Sequence, residues 1–142
     1  MVAVSCLFCR IVAGEEPAHV VLDTGEVVGF LDTRPVFKGH VLVVPRVHIP
    51  TLTELPDELV TPLFTAARAV AAAVREELGA QGSFVAMNNL VSQSVPHLHV
   101  HVVPRTKGDG LRGFFWPRVR YAEGEAQEYA ARLRAALAPP HG

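Results

Sequence analysis

His97-Leu98-His99-Val100-His101-Val102-Val103 is the stretch from which the fold class and the chemistry are both read. Side chains alternate faces along a strand, so a strand over 97–103 puts three imidazoles on one face and Leu98, Val100 and Val102 on the other. The apolar face must be core. A row of imidazoles on the opposite face is costly for a sheet that only has to fold, although one histidine in a strand is usually a bystander. Like charges in a row repel, so at neutral pH most of the rings are expected to be neutral and in fixed tautomers. Two chemistries suit the row. One is a metal held by His-x-His with a third ligand nearby. The other is nucleophilic catalysis, in which one neutral imidazole attacks phosphorus while its neighbours orient it and carry protons.

Outward from this run, the chain reads as one α+β domain. Val20-Val21-Leu22 and Val27 to Leu31 flank Asp23-Thr24-Gly25-Glu26, a hairpin turn in which Gly supplies the unusual dihedral. Asp32-Thr33-Arg34-Pro35 ends the second strand, and His40 to Val44 is a third, closed by Pro45. Leu63, Ala67, Val70, Val74 and Leu78 form one apolar stripe at the 3.6-residue period, which predicts a long helix between Asp57 and Leu78 stopped by Gly79. Pro62 fits best as the first helical residue after a Thr61 N-cap. Ser83 to Met87 and His97 to Val103 complete five strands, Phe8 to Ala13 makes a short helix stopped by Gly14, and Glu125 to Leu137 a second one stopped by Pro139-Pro140. Segregated helices with little βαβ alternation point to an antiparallel sheet.

Composition bounds the function. The 142 residues suit one domain, and 49% hydrophobic with 19% charged residues excludes disordered and fibrous classes. A formal net charge of -1 argues against duplex nucleic acid as a partner. Arg105, Lys107, Arg112, Arg118 and Arg120 form a local basic cluster, either a solvated loop or a meeting point for phosphates. No apolar run is long enough to span a membrane. The N-terminus has no basic region ahead of its apolar residues and no small-residue cleavage site, so a cytoplasmic location is expected. Cys6-x-x-Cys9 then means metal or redox chemistry, or a pair of buried thiols, more often than a disulfide.

The His-x-His-x-His run followed by two apolar residues resembles the signature of the histidine triad (HIT) family of nucleotide hydrolases and transferases. Cys6-Leu7-Phe8-Cys9-Arg10-Ile11, Phe30-Leu31-Asp32 with Pro35, Gly39 to Pro45 with His48, Asn88-Asn89 and Gln93-Ser94-Val95-Pro96 resemble further family segments in the same order, over roughly residues 5 to 105. The similarity is to the bacterial, zinc-containing, Hint-like branch. It implies a five-stranded antiparallel sheet with one long helix and short terminal helices, in a single domain over 1–142 that diverges after about residue 105.

By resemblance, His99 is the nucleophile toward the α-phosphorus of a nucleoside phosphoramidate or related purine nucleotide, and it forms a covalent nucleotidyl intermediate. His101 assists proton transfer, and His40 stands beside the cluster. Asp32 accepts the ribose hydroxyls, Asn88 contacts the phosphate side, and Gln93 and Ser94 donate near the scissile bond. Each also has a plain structural reading, as a turn residue or a loop-bracing amide. The resemblance further implies a structural zinc held by Cys6, Cys9, His48 and His97, with no open position, and a homodimer that extends the sheet. His19 and His141 match nothing and are expected at the surface.

The pattern departs from the family at Ser92, where many members have Gly, and in a shorter, more apolar 89–92 loop. Trp116-Pro117 resembles the Trp-Pro of the phosphoramidase branch with different neighbours. Three rival readings stand beside the first: a dinucleoside polyphosphate hydrolase, a metallohydrolase with its ion on the triad, and a nucleotide-binding module without turnover.

Overall fold

A computed structural model describes residues 6–111 and 118–138 of the chain. Met1 to Ser5, Arg112, Trp116-Pro117, Pro139-Pro140 and His141 lie outside the described residues, together with the expectations attached to them. The chain divides into two compact units, Met1–Asp109 and Gly110–Gly142.

The first unit runs α1 (Leu7–Val12), β1 (Val20–Asp23), β2 (Val27–Leu31), β3 (Val41–Pro45), a 3-10 turn at Leu52–Glu54, α2 (Asp57–Leu78), β4 (Gly82–Ala86) and β5 (Val100–Arg105). The strands make one sheet in the order β1-β2-β3-β5-β4, with every neighbouring pair antiparallel. This is the α+β architecture that the sequence predicts. The β1–β2 turn closes as expected. Asp23 Oδ1 accepts from the Gly25 N–H at 2.9 Å, Thr24 Oγ1 accepts from the Val27 N–H at 3.1 Å, and Gly25 takes φ 89°.

Alternation along the strands separates two apolar layers. Val27, Val41, Val43, Leu98, Val100 and Val102 face α2, where Leu63, Ala66, Ala67, Val70 and Val74 meet them. Val28, Phe30, Leu42 and Val44 face the other way, under Cys6, Phe8 and Cys9. A sheet covered on both faces needs near-continuous apolar strands, and β2 and β3 have that composition. Full burial of a side chain such as Leu63 is worth about 1.5–3 kcal/mol, so α2 holds the sheet largely through its apolar stripe.

Three expectations need correction. Thr61 does not cap α2. The helix begins at Asp57 after Pro56, with Asp57 and Glu58 in its first turn, so Pro62 sits inside it. Those carboxylates suit the positive end of the helix dipole, and the Leu59 N–H finds the Pro56 carbonyl at 2.9 Å without Thr61. Leu78, counted in the apolar stripe, is 58% exposed, because it lines an open groove between the sheet and α2 rather than the closed core. Finally, the triad run is not all strand. β5 begins at Val100, and residues 97–99 approach it in an irregular extended path in which the Leu98 N–H bonds to the Ile49 carbonyl at 2.7 Å.

Gly39 has a backbone reason for its identity. It takes φ 97°, and a Cβ there would lie 2.5 Å from Leu78 Cδ1, so only Gly carries the chain into His40 without displacing its neighbours.

The second unit holds α3 (Glu125–Leu137), with the predicted bounds. Tyr129 stacks near Tyr121, with ring centroids 6.0 Å apart, and Arg132 lies over its ring at 5.6 Å. No helix among the described residues is long and apolar enough to cross a membrane.

Candidate active site and metal centre

The irregular entry into β5 splits the three triad rings between two places. His97 turns towards the N-terminal segment, whereas His99 and His101 face a cleft. Hydrogen-bond partners then fix which nitrogen of each ring carries a proton, because a carbonyl only accepts and a backbone N–H only donates.

His97 is fully buried, and its Nε2 contacts the Pro45 carbonyl at 2.8 Å, so Nε2 holds the proton and Nδ1 the lone pair. That Nδ1 lies 3.5 Å from Cys6 Sγ and 3.6 Å from Cys9 Sγ, and His48 Nδ1 lies 3.2 Å from Cys9 Sγ. All four donor atoms fall within 4.8 Å of one another. A tetrahedral zinc with ordinary Zn–S and Zn–N bonds separates sulfur from nitrogen by about 3.6 Å, so the cluster already has the right spread. Nε2–H on a carbonyl is also the outer partner that metal-ligating histidines use. The residues therefore fit a closed four-ligand zinc site. Burial, with the charges of His48 and His99, pushes His97 down to about 4, and a ligand must be neutral to bind.

His99 is 4% exposed, and its Nδ1 contacts the His97 carbonyl at 2.8 Å. Nδ1 is the donor, which fixes Nε2 as the lone-pair nitrogen of the neutral ring. His40 is oriented from the other side. Its Nδ1 accepts from the Val36 N–H at 3.1 Å, so its proton is on Nε2, which donates to His101 Nδ1 at 2.9 Å. The proton of His101 is then on Nε2. Burial is the main cause that lowers both pKa values, with His101 pushed down to about 4 by the further effect of His99 and His40, against the pull of Asp32. Of the row, His97 and His101 fit the expectation of neutral, tautomer-fixed rings, and His40 beside it shares the same state.

Asp32, His40 and His101 also group closely enough to suggest a cation site. The relay argues against one: binding at His40 Nε2 requires removing the proton that the Val36 N–H keeps there.

The cleft in front of His99 and His101 is about 630 Å³ and includes Asp32 and Ser94. Asp32 is a turn residue whose carboxylate also reaches the cleft. Its Oδ1 accepts from the Arg34 N–H at 2.9 Å as a turn residue, while Oδ2 stands 3.7 Å from His40 Nε2. Asn88 and Gln93 are not in the cleft wall. The Gln93 amide braces the loop, accepting from the Leu90 N–H at 2.9 Å and donating to the Pro50 carbonyl at 2.7 Å. His19 is exposed, as expected.

Sequence reasoning missed the apolar wall formed by Leu7, Phe8, Ile11 and Phe30. Phe8 meets Phe30, His97 and His99 edge-on, with centroids at 5.4, 5.9 and 5.0 Å. The spacing of Leu7, Phe8 and Ile11 on one short helix is the signal that would have found it. A larger groove of about 830 Å³ lies between the sheet and α2, lined by residues such as Leu31, Val41 and Val74, and none of the described histidines enters it.

His99 and His101 at a cleft, with His97 drawn behind them into a Cys2His2 cluster, define a histidine-triad protein of the zinc-containing kind. Residues 13–108 match the HIT domain model, and the chain belongs to the HIT family. It is similar to protein hit of Bacillus subtilis, at 42% identity over 80% of each chain. An adenosine 5′-monophosphoramidase of Schizosaccharomyces pombe is 34% identical over 80% of this chain and 84% of its own. Among solved structures, a HIT family member from Bacillus subtilis superposes with a TM-score of 0.86 at 34% identity, covering 95% of this chain and 99% of that one. A Zn-bound histidine triad family protein from Mycobacterium smegmatis gives 0.73 at 37% identity, covering 93% and 97%.

Proposed function

We propose that the protein is a nucleotide hydrolase or nucleotidyl transferase acting at the α-phosphate of a purine nucleoside phosphoramidate or related nucleotide. One observation carries the reading: His99 donates Nδ1–H to the His97 carbonyl, which in the neutral ring puts the lone pair on Nε2, at a cleft that also holds Asp32, Ser94 and His101. Imidazole attacks as the neutral base, and the backbone bond keeps it in the tautomer that can attack.

Nε2 of His99 attacks the α-phosphorus. The bond from phosphorus to the amine breaks, and the departing nitrogen takes the Nε2 proton of His101. His40, donating to the other side of that ring, holds it in the donor tautomer. Water then attacks the α-phosphorus of nucleotidyl-His99 and gives a proton to His101; the bond from phosphorus to Nε2 breaks, which releases the nucleoside monophosphate and restores His99. Asp32 suits the ribose hydroxyls through its carboxylate, and the Ser94 hydroxyl suits a phosphate oxygen. The apolar wall of Leu7, Phe8, Ile11 and Phe30 suits the faces of a base. Asn88 and Gln93 keep a part in substrate binding only if substrate entry draws the 88–93 loop inward.

Zinc on Cys6, Cys9, His48 and His97 supplies a structural crosslink, with all four positions filled by protein. The proposed protein is a homodimer with neither nucleic acid nor membrane as partner. The polyphosphate rival loses support at Arg105, whose guanidinium is engaged by Asp109 at 2.6 and 3.1 Å.

The test is incubation with adenosine 5′-phosphoramidate, a quench in base, which preserves a phosphorus–nitrogen bond to histidine, and an intact mass beside a His99→Ala control. An added adenylyl group on the wild type, absent from the variant, is expected. AMP binding with neither adduct nor AMP release would favour the binding-module reading instead.

A further inference from the structure

The candidate metal centre and the candidate nucleotide cleft share one element. α1 is six residues long, far below the length at which a helix is stable alone. Its backbone bonds close within the segment, from the Arg10 N–H to the Cys6 carbonyl at 3.1 Å and from the Ala13 N–H to the Cys9 carbonyl at 3.0 Å. Cys6 caps it and Cys9 lies in its first turns, so one side of α1 faces His48 and His97. Leu7, Phe8 and Ile11 are interleaved with those cysteines and line the cleft. The buried Phe8 ring bridges the two sides, edge-on to the metal ligand His97 and to the nucleophile His99.

We infer that metal occupancy at Cys6, Cys9, His48 and His97 and nucleotide binding in the cleft are coupled through α1, so that the metal controls the nucleotide site. The inference rests on the nucleotide and zinc readings proposed above. Thiols are weak hydrogen-bond partners, and without an ion the Cys–His contacts at 3.2–3.6 Å hold α1 weakly. With an ion, those four side chains become one crosslink, and the cleft wall is fixed on the sheet before the nucleotide arrives. Both ligands bind better to docked α1, and that is the two-state element a coupling requires. The coupling is reciprocal: nucleotide must tighten the metal by the factor by which metal tightens the nucleotide.

The experiment uses AMP as the probe and compares zinc-loaded protein with protein stripped by a chelator. Circular dichroism monitors the fold, and equilibrium binding measures the affinity. AMP is expected to bind the stripped protein about tenfold more weakly, within the usual range of such couplings. In the reciprocal measurement AMP raises the concentration of a competing chelator that withdraws half of the zinc at equilibrium. Phe8→Leu, which keeps all four ligands, separates coupling from stability. At AMP concentrations that saturate the two proteins equally, that chelator concentration rises in the wild type and not in the variant. If stripping unfolds the chain, this second comparison decides alone, because unfolding-linked protection would raise it equally in both proteins. Equal AMP affinity with and without zinc, or an equal rise in both proteins, overturns the coupling and leaves the nucleotide reading standing. No AMP binding to loaded protein overturns both, and failure to retain zinc after loading overturns the coupling at its metal end.

Discussion

The two nitrogens of each buried imidazole do different work, and backbone groups decide which does what. The His97 carbonyl holds the Nδ1 proton of His99, and the Val36 N–H, acting through His40, leaves the proton of His101 on Nε2. If His101 protonates the departing amine, His101→Gln removes the acid and keeps a polar side chain. Turnover of adenosine 5′-phosphoramidate is expected to fall by about a hundredfold or more, the usual worth of a positioned acid. A substrate whose leaving group departs without a proton is expected to lose much less. Parallel rates on two such substrates check the role, and an equal loss on both would assign His101 to phosphate binding. These backbone partners are invisible in a sequence, whereas the rings were legible, because three histidines at period two beside Leu98, Val100 and Val102 have one sensible strand reading. What that reading lacked was the path of the chain before Val100, which sends His97 to the cysteines and leaves His99 and His101 at the cleft. Gln93 was legible as a loop-bracing amide, one of its two readings, but its partners at Leu90 and Pro50 were not, because both are backbone groups.

At the scale of elements, periodicity gave the bounds of α2, whereas the Thr61 cap expected ahead of Pro62 failed. Pro is commonest at a first helical position, yet here Asp57 and Glu58 start the helix five residues earlier and α2 tolerates the missing N–H. The sheet leaves β1 and β4 at its edges. Edge strands expose unpaired backbone groups, and proteins cover, charge or shorten them. On β4, Val85 is 46% exposed, an apolar residue where an unprotected edge would carry charge. A second copy pairing along β4 would cover it and continue the sheet, which is the arrangement proposed for the homodimer. Light scattering is expected to give twice the chain mass, and Val85→Lys to shift the particle toward one chain, because the twofold axis sets like charges close together. A wild-type mass of a single chain would remove the dimer from the proposal.

For the molecule as a whole, burying neutral histidines ties stability to pH. His40 and His101 both have folded pKa values below the ordinary 6.5, His101 at about 4. Between those limits the unfolded chain takes up protons that the native state refuses, so acid favours unfolding. The stability these neutral rings contribute is therefore complete above about pH 6.5 and is lost as pH falls towards 4, below which His101 protonates in both states. Each such group adds a slope of up to about 1.4 kcal/mol per pH unit inside that window. Zinc release in acid adds a pH dependence of its own, since His48, His97 and both thiols compete for protons. Comparing the wild type with His101→Gln, both loaded with zinc, cancels that contribution and isolates one ring. Urea unfolding at intervals from pH 7.5 to 4 is expected to show the wild type losing stability more steeply than the variant below 6.5, with parallel curves above it. Parallel curves throughout would mean that His101 titrates alike in both states, and the neutral relay from His40 to His101 would then fail as the source of the proton given to the leaving group.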